Sequence, residues 1–138
     1  MAGQTFHDSI IEEFRSNGGV VTRPYADSTL VLVTMRGARS GRRMTHPLEY
    51  LELDGVLHIF ATASGAPVNP AWYHNLVANP QVTVEYGNET FEAVAHELPR
   101  EQRDRAWRTL VGRKPRFGEY EQKTDRVIPV FALERLDG

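Results

Sequence analysis

Thr45-His46-Pro47-Leu48-Glu49-Tyr50-Leu51-Glu52-Leu53-Asp54-Gly55-Val56-Leu57-His58-Ile59-Phe60-Ala61-Thr62 is the stretch on which the fold turns. Asp54-Gly55 suits the positive backbone angles of a tight hairpin turn, so Thr45–Leu53 and Val56–Thr62 are predicted to be antiparallel strands. Upstream, Thr29–Met35 contains the apolar run Leu30-Val31-Leu32-Val33, the pattern of a strand buried on both faces. Downstream, Gln81–Tyr86 and Glu89–Glu97 flank Gly87-Asn88 as a second hairpin, and Val127–Leu136 reads as the last strand.

Helices fill the spaces between. Phe6, Ile10, Ile11 and Phe14 recur at helical spacing, with Ser9 and Glu12 read as a capping box and Asn17-Gly18-Gly19 as the stop. Asp8, Glu12 and Glu13 favour packing of this helix on the domain over contact with an anionic membrane surface. Asn69 and Pro70 suit the cap and first position of a helix from Ala71 to Ala78, which Asn79-Pro80 ends. Pro99–Val111 predicts a charged surface helix with Ala106, Trp107 and Leu110 turned inward. Hairpin-connected strands with helices at the ends and crossovers predict an α+β fold, a closed or nearly closed six-stranded antiparallel β-barrel with flanking helices.

The 138 residues, 41% hydrophobic, suffice for one domain with a continuous core, residues 1–28 forming its N-terminal helix and lead-in. There is no cysteine, which removes thiolate catalysis, cysteine zinc sites and disulfides. A net charge of -2 exerts no global pull on nucleic acid or anionic lipid, so no nucleic-acid partner is expected. No apolar run approaches the ~18 residues of a membrane span. Met1-Ala2-Gly3-Gln4 lacks the basic start of a leader, and a cytoplasmic protein without an integral membrane segment is expected.

The loop after the first predicted strand crowds Arg36, Arg39, Arg42 and Arg43 around Gly37 and Gly41, fixed positive charge on a backbone that a ligand can approach closely. It suits phosphate or carboxylate, and taken alone it equally suits a solvated turn. Its glycines are four apart and Arg42-Arg43 stands where a phosphate-binding loop needs lysine and a hydroxyl, so nucleotide hydrolysis is disfavoured. Ala63-Ser64-Gly65-Ala66-Pro67 offers a flexible turn, and the helix after it carries Trp72, Tyr73 and Asn75, groups that hold a flat ring or that simply pack. The five histidines show no metal-ligand spacing, and no serine sits in a nucleophile elbow.

Three ordered blocks carry a resemblance: Gly37-Ala38-Arg39-Ser40-Gly41 leading to Pro47-Leu48, then Asn69-Pro70-Ala71-Trp72-Tyr73-His74-Asn75-Leu76-Val77-Ala78-Asn79-Pro80, and Thr124-Asp125-Arg126-Val127-Ile128-Pro129-Val130. From Leu30 to Leu136 the chain resembles the deazaflavin-dependent nitroreductase family, split β-barrel proteins of actinobacteria and relatives that use coenzyme F420. The resemblance implies that Ala38, Arg39 and Ser40 meet the cofactor's phosphate and acidic tail. Met44, Thr45, His46, Pro47, Leu48 and Glu49 would line the approach, and Thr62, Ala63, Ser64 and Gly65 would contact the deazaflavin side. Ala71, Trp72, Tyr73, His74 and Asn75 would complete the pocket, with Phe117 beside the substrate space. Ala38 and Met44 stand where the family often has basic residues, Gly65 where it often has lysine, and Phe117 where some relatives have tyrosine. Arg36, Arg42 and Arg43 are expected to compensate for the missing cations.

The implied activity is hydride transfer from the reduced deazaflavin to an electrophilic small molecule: a quinone, an activated enone or coumarin lactone, or a nitroaromatic. Tyr120 or Tyr50 would donate the proton that follows. Two alternatives stand beside this reading, a flavin mononucleotide oxidoreductase on a similar barrel and a non-catalytic carrier of the deazaflavin. Exposed hairpins leave a homodimer open.

Overall fold

The computed structural model describes residues 6–21 and 29–136. The Met1–Gln4 start and most of the lead-in to the first strand lie outside them. The order is α1 (Phe6–Ser16), β1 (Leu30–Arg36), β2 (Arg43–Leu53), β3 (Val56–Phe60), α2 (Ala71–Ala78), β4 (Gln81–Tyr86), β5 (Glu89–Glu97), α3 (Arg100–Arg113), α4 (Arg116–Gln122) and β6 (Val130–Arg135). The strands close into an antiparallel barrel, β1-β2-β3-β6-β5-β4, with β4 returning to β1.

Alternation along each strand sorts the apolar residues. Val31, Val33, Met35, Leu57, Ile59, Val82, Val84, Phe91, Phe131 and Leu133 fill the interior, and Trp72 and Leu76 of α2 close one end of it. Leu30 and Leu32 on the outer face of β1 are covered by Ile10 and Phe14 of α1. Leu51, Phe60 and Val130 lie under Trp107 and Leu110 of α3 and Phe117 of α4. The unbroken apolar run of β1 therefore has a cause on each side, barrel core within and helix without. Each fully buried side chain of this size contributes ~1.5–3 kcal/mol.

Both predicted hairpins form, and Asp54 (φ 54°) with Gly55 (φ 79°) takes the left-handed geometry that the turn requires. Several boundaries move for identifiable reasons. Ser9 lies inside α1 and donates to the Phe6 carbonyl at 2.8 Å, so it is not the expected capping box. Pro70, not Asn69, caps α2; the Asn69 side chain accepts from Arg126 instead. β6 starts at Val130 rather than Val127, because the Ile128 carbonyl is taken by Arg103 Nε at 2.8 Å. α3 runs on to Arg113, and α4 is an additional helix that the sequence reading did not contain. No helix among the described residues is long and apolar enough to cross a membrane.

β2 is longer than its partner. It pairs with β1 from Arg43 to Glu49, but with β3 only from Tyr50 to Leu53. The barrel is thus split between the first half of β2 and the chain leaving β3, and the cavity described below opens there.

The turn after α1 packs against the neighbouring β4–β5 turn through Gly19. Its φ is +91°, and a Cβ there would sit 2.6 Å from the Gly87 Cα in the β4–β5 turn. Gly19→Ala combines left-handed strain with a backbone clash, and should lower stability by roughly 2–3 kcal/mol in denaturant unfolding. Gly55→Ala, with open space around its Cβ, should cost about 1 kcal/mol.

Candidate active site

A cavity of about 480 Å³ occupies the split. β2 contributes His46, Pro47, Leu48 and Glu49, and the chain after β3 contributes Thr62, Ala63 and Ser64. Trp72 and Pro70 come from the start of α2, Phe117, Tyr120 and Arg116 from α4, and Phe6, His7 and Ile10 from α1. The volume and the mixture of aromatic walls with a few polar groups fit a small organic ligand or ring.

His46 is the most informative wall residue. Its Nε2 is buried without a hydrogen-bond partner, and burial, reinforced by nearby His7, holds the imidazole below its ordinary pKa. A buried polar atom of this kind costs ~1–3 kcal/mol until something bonds it. The residues present, an imidazole and several aromatic rings around a slot with few polar groups, fit a flat heterocycle.

Glu49 is held differently. Its carboxylate takes Lys114 Nζ at 2.9 Å on one oxygen and Arg116 Nη2 at 2.6 Å on the other, with all three side chains largely buried. This strut fixes the α3–α4 corner against β2 and keeps Phe117 and Tyr120 facing the cavity. Phe117 in turn stacks edge-on with Tyr120, ring centroids 5.4 Å apart.

The basic loop stands at the neighbouring end of β1 and β2. Asn75 of α2 anchors it, its Oδ1 accepting from the Ala38 amide at 2.9 Å. Ser40 Oγ accepts from the Arg42 amide at 3.1 Å and shapes the loop from within. Arg39 and Arg42 are exposed and take no ion pair among the described residues. The arginines do not act as one crowd, however. Arg36 and Arg43 face each other across the β1–β2 pair and line a second groove, about 490 Å³, on the outer face of the barrel, where Arg43 Nη2 donates to Thr83 Oγ1 at 3.3 Å. Of the three arginines expected to compensate for missing cations, only Arg42 does not line that groove.

Other residues singled out from the sequence lie apart from the cavity wall. Thr45 bonds Thr34 across the strand pair, and Met44 sits inward beside Met35. Tyr73 packs on Phe131 at 5.7 Å and donates to Glu97 at 3.0 Å, while Ala71 and His74 are exposed on α2. Tyr50 points into the barrel against Tyr86, ring centroids 5.4 Å apart, where burial above all pushes its phenol up to about 12. Gly65 lies behind the turn: a Cβ would meet the Tyr120 carbonyl and the Lys123 side chain, each at 2.9 Å. A lysine there would clash in this arrangement, and the side chain of Lys123 already occupies that space.

Sequence reasoning missed the cation pair at the α3–α4 corner, Lys114 and Arg116, and the role of α1 in the wall. Lys114-Pro115 is a helix breaker and starter, and Phe117 and Tyr120 follow at i, i+3 spacing, which is the signal that marks α4.

Comparison with known proteins gives the site its context. The sequence matches the F420H(2)-dependent quinone reductase family over residues 8–135. It is 34% identical over 133 residues to an F420H(2)-dependent quinone reductase of Mycobacterium tuberculosis (strain ATCC 25618 / H37Rv), covering 94% of this chain and 87% of that protein. The solved structure of an F420-H2 dependent reductase superposes with a TM-score of 0.70 at 40% identity, over 76% of this chain and 93% of that one. A second solved chain, described as a domain-swapped dimer, gives 0.71 at 35% identity, over 92% and 98%. With the split barrel and its cavity, these likenesses establish that the chain belongs to the F420H(2)-dependent quinone reductase family, oxidoreductases whose cofactor is coenzyme F420.

Proposed function

We propose that this chain passes a hydride from reduced coenzyme F420 to a quinone-type acceptor, with the deazaflavin ring in the split of the barrel. The observation that carries this reading is the cavity itself, walled by His46, Trp72, Phe117 and Tyr120 in the split of the barrel. Family membership favours the deazaflavin over flavin mononucleotide.

When bound, the cofactor supplies the hydride. The protein's own tasks are to bind, orient and exclude water. His46, held below its ordinary pKa by burial, lines the slot beside the ring. Arg39, Ser40 and the Ala38 region receive the anionic end, with Arg42 as the compensating cation on the same loop. Thr62, Ala63 and Ser64 form one wall, and Phe117 and Tyr120 form the wall beside the acceptor. Tyr120, a residue of the cavity wall, donates the proton that accompanies the hydride. Tyr50 is not the donor, because its ring is packed against Tyr86 in the barrel. A homodimer is part of the proposal, supported by the likeness to the domain-swapped chain.

Fluorescence titration should show saturable binding of coenzyme F420, and Arg39→Ala should weaken it about tenfold, the effect of one charge-assisted hydrogen bond. Stopped-flow mixing of the reduced holoenzyme with menadione should oxidise the cofactor faster than menadione oxidises it free in solution; equal rates would turn the reading toward a carrier.

Tyr120→Phe should slow the hydride-coupled step by about a hundredfold, within the range for loss of a general acid. Tyr50→Phe should leave that rate within about twofold. The reverse ranking would place the proton donor in the barrel interior.

A further inference from the structure

The turn that carries Ser64 to the cavity is strained. Ala63 (φ 47°), Ser64 (φ 54°) and Gly65 (φ 83°) are three successive residues in the left-handed region. For non-glycine residues such geometry persists only where the surroundings over-determine it. Two features do so. Gly65 brings the turn backbone to backbone against α4, 2.9 Å separating its would-be Cβ from the Tyr120 carbonyl. The other is Arg126, just beyond α4.

The Arg126 guanidinium donates from all three nitrogens to one loop. Nη2 reaches the Thr62 carbonyl at 2.8 Å, Nε the Ala66 carbonyl at 2.9 Å, and Nη1 the Asn69 Oδ1 at 2.7 Å. The two carbonyls bracket the left-handed run, and Asn69 stands at the entrance to α2, whose Trp72 is also part of the cavity wall. None of the three acceptors is a carboxylate, and Arg126 takes no ion pair among the described residues. The guanidinium therefore works as a rigid fork that matches a set of fixed acceptors, which a lysine ammonium does not reproduce.

We propose that Arg126 is a positioning residue for the reductase. It holds the Ala63–Gly65 turn in its left-handed form, and with it the Thr62–Ser64 wall in register with the Phe117–Tyr120 wall of α4 before any ligand enters, so the ring slot is preformed. The proposal rests on the reading that this cavity takes the deazaflavin ring.

The test uses the full chain with Arg126→Lys, which keeps the charge and loses the fork, and Arg126→Gln, which keeps donors and loses the charge. Backbone hydrogen exchange in the cofactor-free protein should accelerate at least tenfold over residues 62–69 in both variants, with β1 and β4 protected as in the parent. The dissociation constant for coenzyme F420 should rise about tenfold in the same variants. Millimolar guanidinium should recover part of that loss in Arg126→Ala. Parent-like exchange over residues 62–69 overturns the proposal, as does an unchanged dissociation constant. Loss of protection spread across the barrel strands, or failure of both variants to fold, also overturns it, in favour of a role in general stability. Should the parent chain itself not bind coenzyme F420, the functional reading fails, and the exchange arm alone still decides whether Arg126 staples the turn.

Discussion

The structure depends on a shortfall in strand pairing. β2 has 11 residues, and its pairing with β3 stops after Leu53–Tyr50, so from Arg43 to Glu49 it is hydrogen-bonded to β1 alone. An unpaired edge exposes donors and acceptors that a fold must cover or terminate. Here the chain leaving β3 turns away instead of pairing, α4 comes up on one side, and α2 caps the barrel end with Trp72 and Leu76. A fully paired barrel would be filled by its own side chains. The split leaves a slot in a wall that is otherwise closed, which is how so small a chain encloses space for a ring.

Keeping that slot open requires struts, and those found here are polar rather than apolar. Glu49 with Lys114 and Arg116 holds the α3–α4 corner to β2, while Arg126 and the Gly65–α4 contact hold the opposite wall. Apolar packing alone would draw the walls together, since burial is favourable and has no preferred direction. Directional bonds set a spacing. One carboxylate between two cations also leaves a net positive charge at the cavity edge, which favours an anionic ligand there.

The barrel was legible in the sequence because its determinants are local. Asp54-Gly55 and Gly87-Asn88 demand turns where they stand, and the strands on either side follow by alternation. α2 was legible for the same reason, bounded by Pro70 and Asn79-Pro80. α4 was not: seven residues are too few for a helical period to stand out, and its one signal, Lys114-Pro115 followed by Phe117 and Tyr120 at i, i+3, is weak taken alone. The basic loop was visible as a cluster, yet strand alternation sends Arg36 and Arg43 to the outer face, which a reading of adjacency cannot anticipate. Tyr50 likewise follows Glu49 in the sequence but is turned the other way by alternation, into the barrel beside Tyr86. Arg126 was seen only as part of a motif, because its acceptors lie 57 to 64 residues away in the chain.

The chemistry of the slot follows from what its ionisable groups are free to do. Both oxygens of Glu49 are taken by cations, and burial holds His46 below its ordinary pKa. Phe117 brings a ring without a hydroxyl to the wall next to Tyr120. Such a site is poorly equipped for hydrolysis or for abstracting a proton from carbon, both of which need a strong base or an activated nucleophile. It is well equipped for hydride transfer, in which the electrons arrive with the cofactor and the protein must align two rings and exclude water. On this view specificity for the acceptor resides in the shape of the wall formed by Phe117 and Tyr120, and the rate resides in how rigidly the opposite wall is held. Both walls are held by polar struts, Glu49 with Lys114 and Arg116 on the α4 side and Arg126 on the other, so the slot keeps its width from two directions.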